Sequence, residues 1–484
     1  MINIGIGIPF GQRSAGIDPQ AKIAFDSLQS AGFTTPQGIT GINAAFKTIK
    51  TIYGTSDITT AISFFGDPSL AYQIGAGSGT TLGQAIRTLP NIIDPTRATD
   101  AVQTTAASQP LLLTHTTGQN YWFGSGIANS FVNTPSATAN SGTSDKEFNI
   151  TANLLNWSND YNMLLAKNTG GLNGYYIATR TSSRIGYGCS RGDVVSTVGH
   201  SFANNTLGYI RVTHDTINGI VRFFTSTDGI TYTQLGSNVS IASGSTTDTS
   251  TPLCIGANNN GTSNAFLGKI YRATISNSIG GAPVVDFNPN QYNPSTSQTQ
   301  WTSSTGEVWS INVGTATTGY KSVLVDRTII QGDGIASRLT SGTLATRQYF
   351  TRFAAFNYLV GQGTEYIIAG NPVETHLIYF NAATLRLYNP TQEITVSGAI
   401  ANNLQLITGD YNGASSKVRR NNAADVTGTT GVATSTIINL FSSGSGGAPS
   451  NAIINTLIDA VAVSNDTQKT AMYNYIRSIN NNAF

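Results

Sequence analysis

The stretch GYIRVTHDTINGIVRFFTSTDGITYT, Gly208 to Thr233, reads as consecutive β-strands. Tyr209-Ile210-Arg211-Val212-Thr213 and Ile220-Val221-Arg222-Phe223-Phe224-Thr225 alternate apolar with polar residues, the two-residue period of a half-buried strand. Between them Asp215-Thr216-Ile217-Asn218-Gly219 ends in Asn-Gly, a pair that accepts positive φ and closes a tight hairpin. Thr227-Asp228-Gly229 turns the chain again into Ile230-Thr231-Tyr232-Thr233, giving an antiparallel meander. The same texture of short Tyr, Phe, Ile, Val and Thr runs, divided by Gly, Asn, Ser and Asp clusters, extends from Asp94 onward, as in all-β sandwiches.

A chain of 484 residues has room for such domains without disulfide staples. Charged residues make up only 10%, against about 25% in an average soluble domain, and the formal net charge is +2. The surface is therefore polar but uncharged, with no electrostatic footprint for nucleic acid or an anionic membrane. No apolar run reaches the ~18 residues that a bilayer span needs, so membrane insertion is not expected. Met1 to Gly16 has no basic residue ahead of its short apolar run, which Gly and Pro9 interrupt, so no secretory signal is expected and synthesis in the cytoplasm follows. Cys189 and Cys254 have neither the number for a disulfide framework nor a zinc-ligand spacing, and are read as free thiols.

Before Asp94 the pattern is helical. Asp18 precedes Pro19 as a cap, Ile23, Ala24, Phe25 and Leu28 form a stripe, and Gly32 stands at the end. After Thr35-Pro36, Ile39, Ile42, Phe46, Ile49 and Tyr53 recur at helical spacing until Gly54. Two helices this short, each with one apolar stripe, need a partner surface in the following domain or in another chain. Gly75-Ala76-Gly77-Ser78-Gly79 lacks the Gly-Lys-Ser/Thr ending of a phosphate loop and reads as a flexible connector.

The chain repeats itself. Gly124-Ser125-Gly126-Ile127-Ala128 returns as Gly332-Asp333-Gly334-Ile335-Ala336, and Leu164-Leu165-Ala166-Lys167-Asn168 as Ile367-Ile368-Ala369-Gly370-Asn371. Ser263-Asn264-Ala265 leads to Ile275-Ser276-Asn277, as Ser450-Asn451-Ala452 leads to Val463-Ser464-Asn465. One β domain is duplicated, the second copy being shorter by roughly twenty residues of loop or hairpin. The expected division is a helical attachment or oligomerisation domain at 1–95, a first sandwich at 96–312 and a second at 313–484, closed by a helix that Asn465 and Gln468 cap.

The Gly-x-Gly-x-Ala entry, the central Leu/Ile-Ala-x-Asn strand and the closing Gly268 to Ser276 strand resemble laminin-G-like, concanavalin A-type jelly rolls. Asp286 to Trp309 and Ala24 to Tyr53 resemble segments of bacteriophage virion proteins, fibre and tail-associated proteins among them. The resemblance implies mainly β architecture, two tandem jelly-roll sandwiches behind a small helical N-terminal domain. It also implies a structural virion surface protein of a tailed bacteriophage: a head fibre, tail fibre or decoration subunit. Such a protein contacts other virion proteins through the N-terminal domain, self-associates as a trimer, and binds host-surface carbohydrate. The alternatives are a bacterial carbohydrate-binding adhesin or a polysaccharide-degrading enzyme.

Catalysis is not expected. Glycosidases resembling this fold carry Glu-x-Asp-x-x-Glu on one strand, which is absent, and Asp145 and Glu147 do not fit it. His115, His200, His214 and His376 accompany no nucleophile elbow, and His214 and His376 flank strands as core or edge residues. Gly256-Ala257-Asn258-Asn259-Asn260-Gly261 supplies no carboxylate for calcium and reads as a turn, so neither metal nor cofactor is expected. Trp122 and Trp157 lie in strand-like runs and read as core. Trp301 and Trp309 flank Ser304-Thr305-Gly306, whose hairpin sets the two rings on one face, either covering a sandwich edge or, with Tyr292, forming a platform on which a sugar stacks.

Overall fold

The computed structural model describes residues 16–75, 84–114, 118–169, 173–292, 299–312, 314, 319–359, 364–370, 375–381, 384–396, 404–443 and 449–480. Most of the Gly75–Gly79 connector and His115 lie outside these residues. The Asn-Gly hairpin forms as its alternation requires: Leu207–Asp215 pairs antiparallel with Ile220–Ser226, with Tyr209 opposite Ser226 and Asp215 opposite Ile220. Ile210, Val212, Val221 and Phe223 all bury on the same face.

That hairpin belongs to the first of two β-sandwiches. Its inner sheet runs Thr233–Gln234, Ile220–Ser226, Leu207–Asp215, Lys146–Leu154, Leu267–Ser276, Tyr121–Ser125, Val323–Val325. Its outer sheet runs Gly192–Val195, Arg184–Cys189, Gly174–Arg180, Met163–Asn168, Leu253–Ile255, Phe131–Thr134, Val308–Asn312, Gln300–Thr302. Phe148, Ile150, Ile210 and Phe223 from the one pack on Leu165, Ile177, Ile185 and Tyr187 from the other, and Trp122 and Trp157 are buried among them.

The second sandwich repeats this order. Its inner sheet runs Val426–Gly428, Ser416–Arg420, Leu404–Tyr411, Phe350–Tyr358, Ala452–Ala460, Ile329–Gln331, Leu111–Leu113. The outer sheet runs Gln392–Val396, Thr384–Asn389, Leu377–Asn381, Thr364–Ala369, Asn439–Leu440, Leu339–Ser341, Ala101–Val102, Ile86–Leu89, Gln73–Ile74. Where the first sandwich adds Thr233–Gln234 and Val239–Ser240 to its hairpin, the second adds Val426–Gly428, so part of its shortening lies in the meander.

The strand order corrects the expected divisions at 95 and 312. Val285–Phe287, Gln300–Thr302, Val308–Asn312 and Val323–Val325 complete the first sandwich. Their counterparts in the second are Ile62–Gly66, Ile86–Leu89, Ala101–Val102 and Leu111–Leu113, drawn from ahead of the first sandwich. The first sandwich is thus one continuous stretch, Tyr121 to Val325, inserted between the closing strands of the second (62–113) and its body (329–460). The chain crosses between the sandwiches twice, between Leu113 and Tyr121 and between Val325 and Ile329. At the crossings the inner sheets meet through Leu111, Leu113, Tyr121, Phe123, Val323, Val325, Ile329 and Ile453. The layers therefore run outer, inner, inner, outer.

Three helices cover the rest of the second inner sheet. α1 (Pro19–Ser30) is capped by Asp18, which accepts from the amides of Gln20 and Ala21 at 2.9 and 3.2 Å. α2 (Gly38–Tyr53) ends on Gly54 at φ 64°, and α3 (Asp466–Ile479) begins with the Asn465–Gln468 capping box. Ala21, Ala24, Leu28, Ile42, Phe46 and Ile49 bury against Phe353, Leu406, Ile458 and Met472, while Ile23 faces outward. The partner that the stripes require is the second sandwich of the same chain, not a separate head. Arg327, in the second crossing, fastens this corner. Its guanidinium donates to Asp67 (2.8 and 3.1 Å), Ser69 (2.7 Å) and Asn480 (2.7 Å), and Thr456 donates to Asp67 at 2.9 Å.

His376 is buried at the edge of the second core, its ring edge-on to Phe350 and Tyr411 at 4.8 Å. Burial, then Arg352 and Arg347, hold its pKa down at about 3. The unfolded imidazole takes up its proton near 6.5. Stability present above that value is therefore lost as pH falls from 6.5 towards 3. His376→Asn, compatible with the φ of 49° there, is expected to flatten the acid limb of a melting-point against pH curve by up to about 1.4 kcal/mol per pH unit. A chain beginning at residue 96 lacks Ile62–Gly66 and Ile86–Leu89, and is expected to leave the second sandwich open to limited proteolysis while the first resists.

Candidate functional site

The anticipated platform is placed first. Gln300–Thr302 and Val308–Asn312 form the expected hairpin with Trp301 directly opposite Trp309 and Gly306 at φ 98°. The rings stack at 6.4 Å and 26°. Both point into the sandwich, where Phe287 of the opposing layer meets Trp309 edge-on at 5.1 Å and Tyr292 meets Trp301 at 6.2 Å. Trp301 is 6%, Trp309 0% and Tyr292 8% exposed, and the Trp309 indole donates to the Asp286 carbonyl at 3.2 Å. A sugar cannot reach these faces, so Trp301, Trp309 and Tyr292 are core residues; the edge-covering reading is the one that the hairpin realises. His200, His214 and His376 are likewise buried, and the Gly256–Gly261 segment is a turn closed by Asn258 and Ser263.

The exposed chemistry lies on the solvent face of the same outer sheet. Along Gly174–Arg180 the alternation sends Tyr175 and Ile177 inward and Tyr176, Ala178 and Arg180 outward. Across the sheet Tyr176 stands opposite Gly188, and Gly188 opposite Asp193. Tyr176 lies flat on Gly188, where a Cβ would sit 2.2 Å from the ring, and the Arg180 stem lies on Gly186, where a Cβ would meet Cγ at 2.8 Å. Two glycines on one face of Arg184–Cys189 thus seat an aromatic ring and a guanidinium side by side.

Arg180 Nε donates to Asp160 at 3.0 Å and Nη1 to both Asp193 oxygens at 3.1 Å. Its Cζ sits 4.1 Å above the Tyr161 ring, and the Tyr161 hydroxyl reaches Asp193 at 3.4 Å. Tyr161 adopts φ 53°, uncommon for an aromatic residue, with its amide tied to the Thr179 carbonyl at 2.8 Å. Burial and then Asp193 push the Tyr176 hydroxyl well above its ordinary pKa. For Arg180 burial works downward, but Asp193 outweighs it and the guanidinium is held charged. The result is a partly exposed Tyr161 ring, with Tyr176 buried beside it, bordered by fixed donors and acceptors at Asp160, Arg180 and Asp193. One guanidinium stands against two carboxylates, so the face offers no net attraction to an anion. Neighbouring hydroxyls fit it, donating to Asp160 and Asp193 and accepting from Arg180.

Reading the sequence for exposed rings singled out tryptophans and passed over this face. The available signal was Gly186-Tyr187-Gly188, a glycine pair at alternate positions of one strand. Among the described residues no group of three or more His, Cys, Asp and Glu side chains is arranged to hold a metal, and no helix is long and apolar enough to cross a membrane.

No family model and no curated protein matches the sequence. Among solved structures the chain is similar to domains LG4-5 of the mouse laminin alpha1 chain, at 9% identity and a TM-score of 0.27 over 72% of this chain and 93% of that one. It is also similar to the LG1-3 region of the laminin alpha2 chain (9%, 0.27, 70% and 62%). A third likeness is to a heptameric SAP-like pentraxin from Limulus polyphemus (6%, 0.25, 33% and 76%). The two-sandwich architecture stands on the strand order itself.

If the tryptophan pair is core and the tyrosine is surface, their substitutions separate. Trp309→Ala is expected to lower stability by about 3–5 kcal/mol. Tyr161→Asn, which keeps the left-handed backbone, is expected to change it by less than about 1 kcal/mol. Denaturant unfolding followed by tryptophan fluorescence measures both.

Proposed function

We propose that the protein is a non-catalytic surface subunit of a tailed-bacteriophage particle that holds hydroxyl-rich glycan on the outer face of its first sandwich. The observation that carries the binding reading is the Tyr161, Arg180, Asp160 and Asp193 cluster, a partly exposed ring beside fixed donors and acceptors that reach solvent, with Tyr176 buried next to it. Sugars bind through that combination: their apolar C–H faces pack on the faces of aromatic rings while charged groups share their hydroxyls. The setting rests on the resemblance of the Ala24 to Tyr53 and Asp286 to Trp309 segments to virion proteins, together with a Thr, Ser, Asn and Gly surface of low charge. Because the helices use their apolar stripes within the chain, assembly on the particle involves other surfaces.

The reading as a binder rather than a hydrolase has a geometric ground. Asp160 and Asp193 are both engaged by one guanidinium, whereas a hydrolase keeps one carboxyl free to protonate the leaving oxygen and the other to attack or activate water. The test is a glycan microarray of bacterial capsule and lipopolysaccharide chains probed with the full-length protein and with Arg180→Gln. Binding to hydroxyl-rich chains that falls at least tenfold in the variant is the expected result. No binding to any chain, or new reducing ends after incubation, contradicts it.

A further inference from the structure

The two sandwiches share one strand order, so each position on the first outer sheet has a counterpart on the second. In the first, Tyr176, Gly188 and Asp193 form one row. In the second, the row is Leu377, Tyr388 and Glu393. Glu393 therefore stands where Asp193 stands, and the ring that Gly174–Arg180 supplies in the first sandwich is supplied by the neighbouring strand, Thr384–Asn389, in the second. The row beside it places Tyr366 opposite Tyr379 and Tyr379 opposite Arg386, all on the outer face of the sheet, with Tyr366 and Arg386 partly exposed and Tyr379 buried between them.

These residues rebuild the same contacts from different positions. The Tyr379 hydroxyl donates to Glu393 Oε2 at 2.6 Å, and Arg386 Nη1 pairs with Glu393 Oε1. Tyr379 meets Tyr388 edge-on at 6.2 Å and Tyr366 at 5.7 Å. Burial, then Glu393, push the Tyr379 hydroxyl up to about 12, so it remains a donor at any physiological pH. One guanidinium balances one carboxylate here, and again no net positive charge faces the solvent. A tyrosine, arginine and carboxylate cluster thus recurs at equivalent places although the individual side chains do not correspond. Packing of the sheet does not require this, since the equivalent positions hold Gly186 and Gly188 in one sandwich and Arg386 and Tyr388 in the other.

We propose that the outer face of the second sandwich, centred on the partly exposed Arg386, Tyr388 and Glu393, is a second site for an uncharged, hydroxyl-rich glycan chain, and that the two sites let one molecule bridge two chains. This rests on the reading of the first face as a glycan site. The bridging follows from there being one site on the outer sheet of each sandwich.

The experiment uses the full-length chain in native gels containing dextran, galactomannan or the anionic polymer hyaluronate, with turbidity of protein and polymer mixtures as the bridging readout. The variants are Tyr161→Ala with Arg180→Gln for the first face, and Tyr388→Ala with Arg386→Gln for the second. Melting curves check that each is folded. Tyr379→Phe, which removes only the hydroxyl bridge to Glu393, stands in if the second double variant is not. The expected result is retardation by a neutral polymer, reduced at least threefold by each double variant and abolished by combining them, with turbidity lost in either alone. Retardation and turbidity that ignore the second-face variants but vanish with the first-face ones overturn the second site and leave the first. Retardation by hyaluronate alone overturns the uncharged class. No retardation by any of the three overturns the glycan reading of both faces.

Discussion

The Ala452–Ala460 strand is buried along its entire length, and the rest of the molecule answers to that. A strand in an antiparallel sheet ordinarily shows one face to water. Here Ile454 and Leu457 point into the second core while Ile458 and Ala460 point at the helices and Ile453 at the first sandwich. The strand also brings Asp459, fully buried, whose oxygens take the Arg352 guanidinium at 2.8 Å each and Arg347 besides. An isolated carboxylate there is untenable, and leaving it unpaired costs several kcal/mol. Both of its faces must be covered, and most of the outer cover comes from far away in sequence: α1 and α2 with Ile62–Gly66 on one part and the first sandwich on the other, while α3 follows directly on the strand.

The split of the second sandwich meets the same requirement. Its body, Ile329–Gln331 to Ala452–Ala460, lacks its closing strands until Ile62–Gly66 to Leu111–Leu113 arrive from ahead of the first sandwich, which is itself continuous from Tyr121 to Val325. Two crossings, one of them gripped by Arg327 and Asp67, tie the sandwiches together. Lys269, partly exposed over the Tyr121 ring at 4.8 Å and with its pKa lowered to about 8 by desolvation, sits at the same junction. Among the described residues no strand pairs across the two sandwiches, so they are joined by the two crossings and by the apolar contact of Leu111, Leu113, Tyr121, Phe123, Val323, Val325, Ile329 and Ile453.

Local features of the fold were legible because their causes are local. Asp18, Gly54 and the Asn465–Gln468 pair mark helix ends through hydrogen bonds to nearby amides, and Asn218-Gly219 marks a hairpin through backbone preference. The duplication was legible in Gly124 to Ala128 and Gly332 to Ala336, which lie at matching places. The split of the second sandwich around the first was not, because strands as short as Ala101–Val102 and Leu111–Leu113 carry no information on which of two like bodies they join. Phe65-Gly66-Asp67-Pro68 beside Asp286-Phe287-Asn288-Pro289 was the trace of it. For the tryptophan pair the cross-strand partnership could be read, but the face it occupies turns on a one-residue register that pairing alone does not fix. The tyrosine, arginine and carboxylate clusters eluded the sequence for a further reason: the first draws Asp160 and Tyr161 from a loop and the rest from two strands, the second draws on three strands, and only Asp193 and Glu393 correspond.

Hydrogen exchange followed by mass spectrometry on the full-length protein tests the interlocked architecture most directly. Peptides over Ile62–Gly66 and Leu111–Leu113 are expected to share the slow exchange of Ala452–Ala460 and to lose it together on mild destabilisation, as members of one cooperative unit. Fast exchange over 62–66 and 111–113 while 452–460 stays protected would contradict the account, returning the N-terminal segment to the status of a separate head.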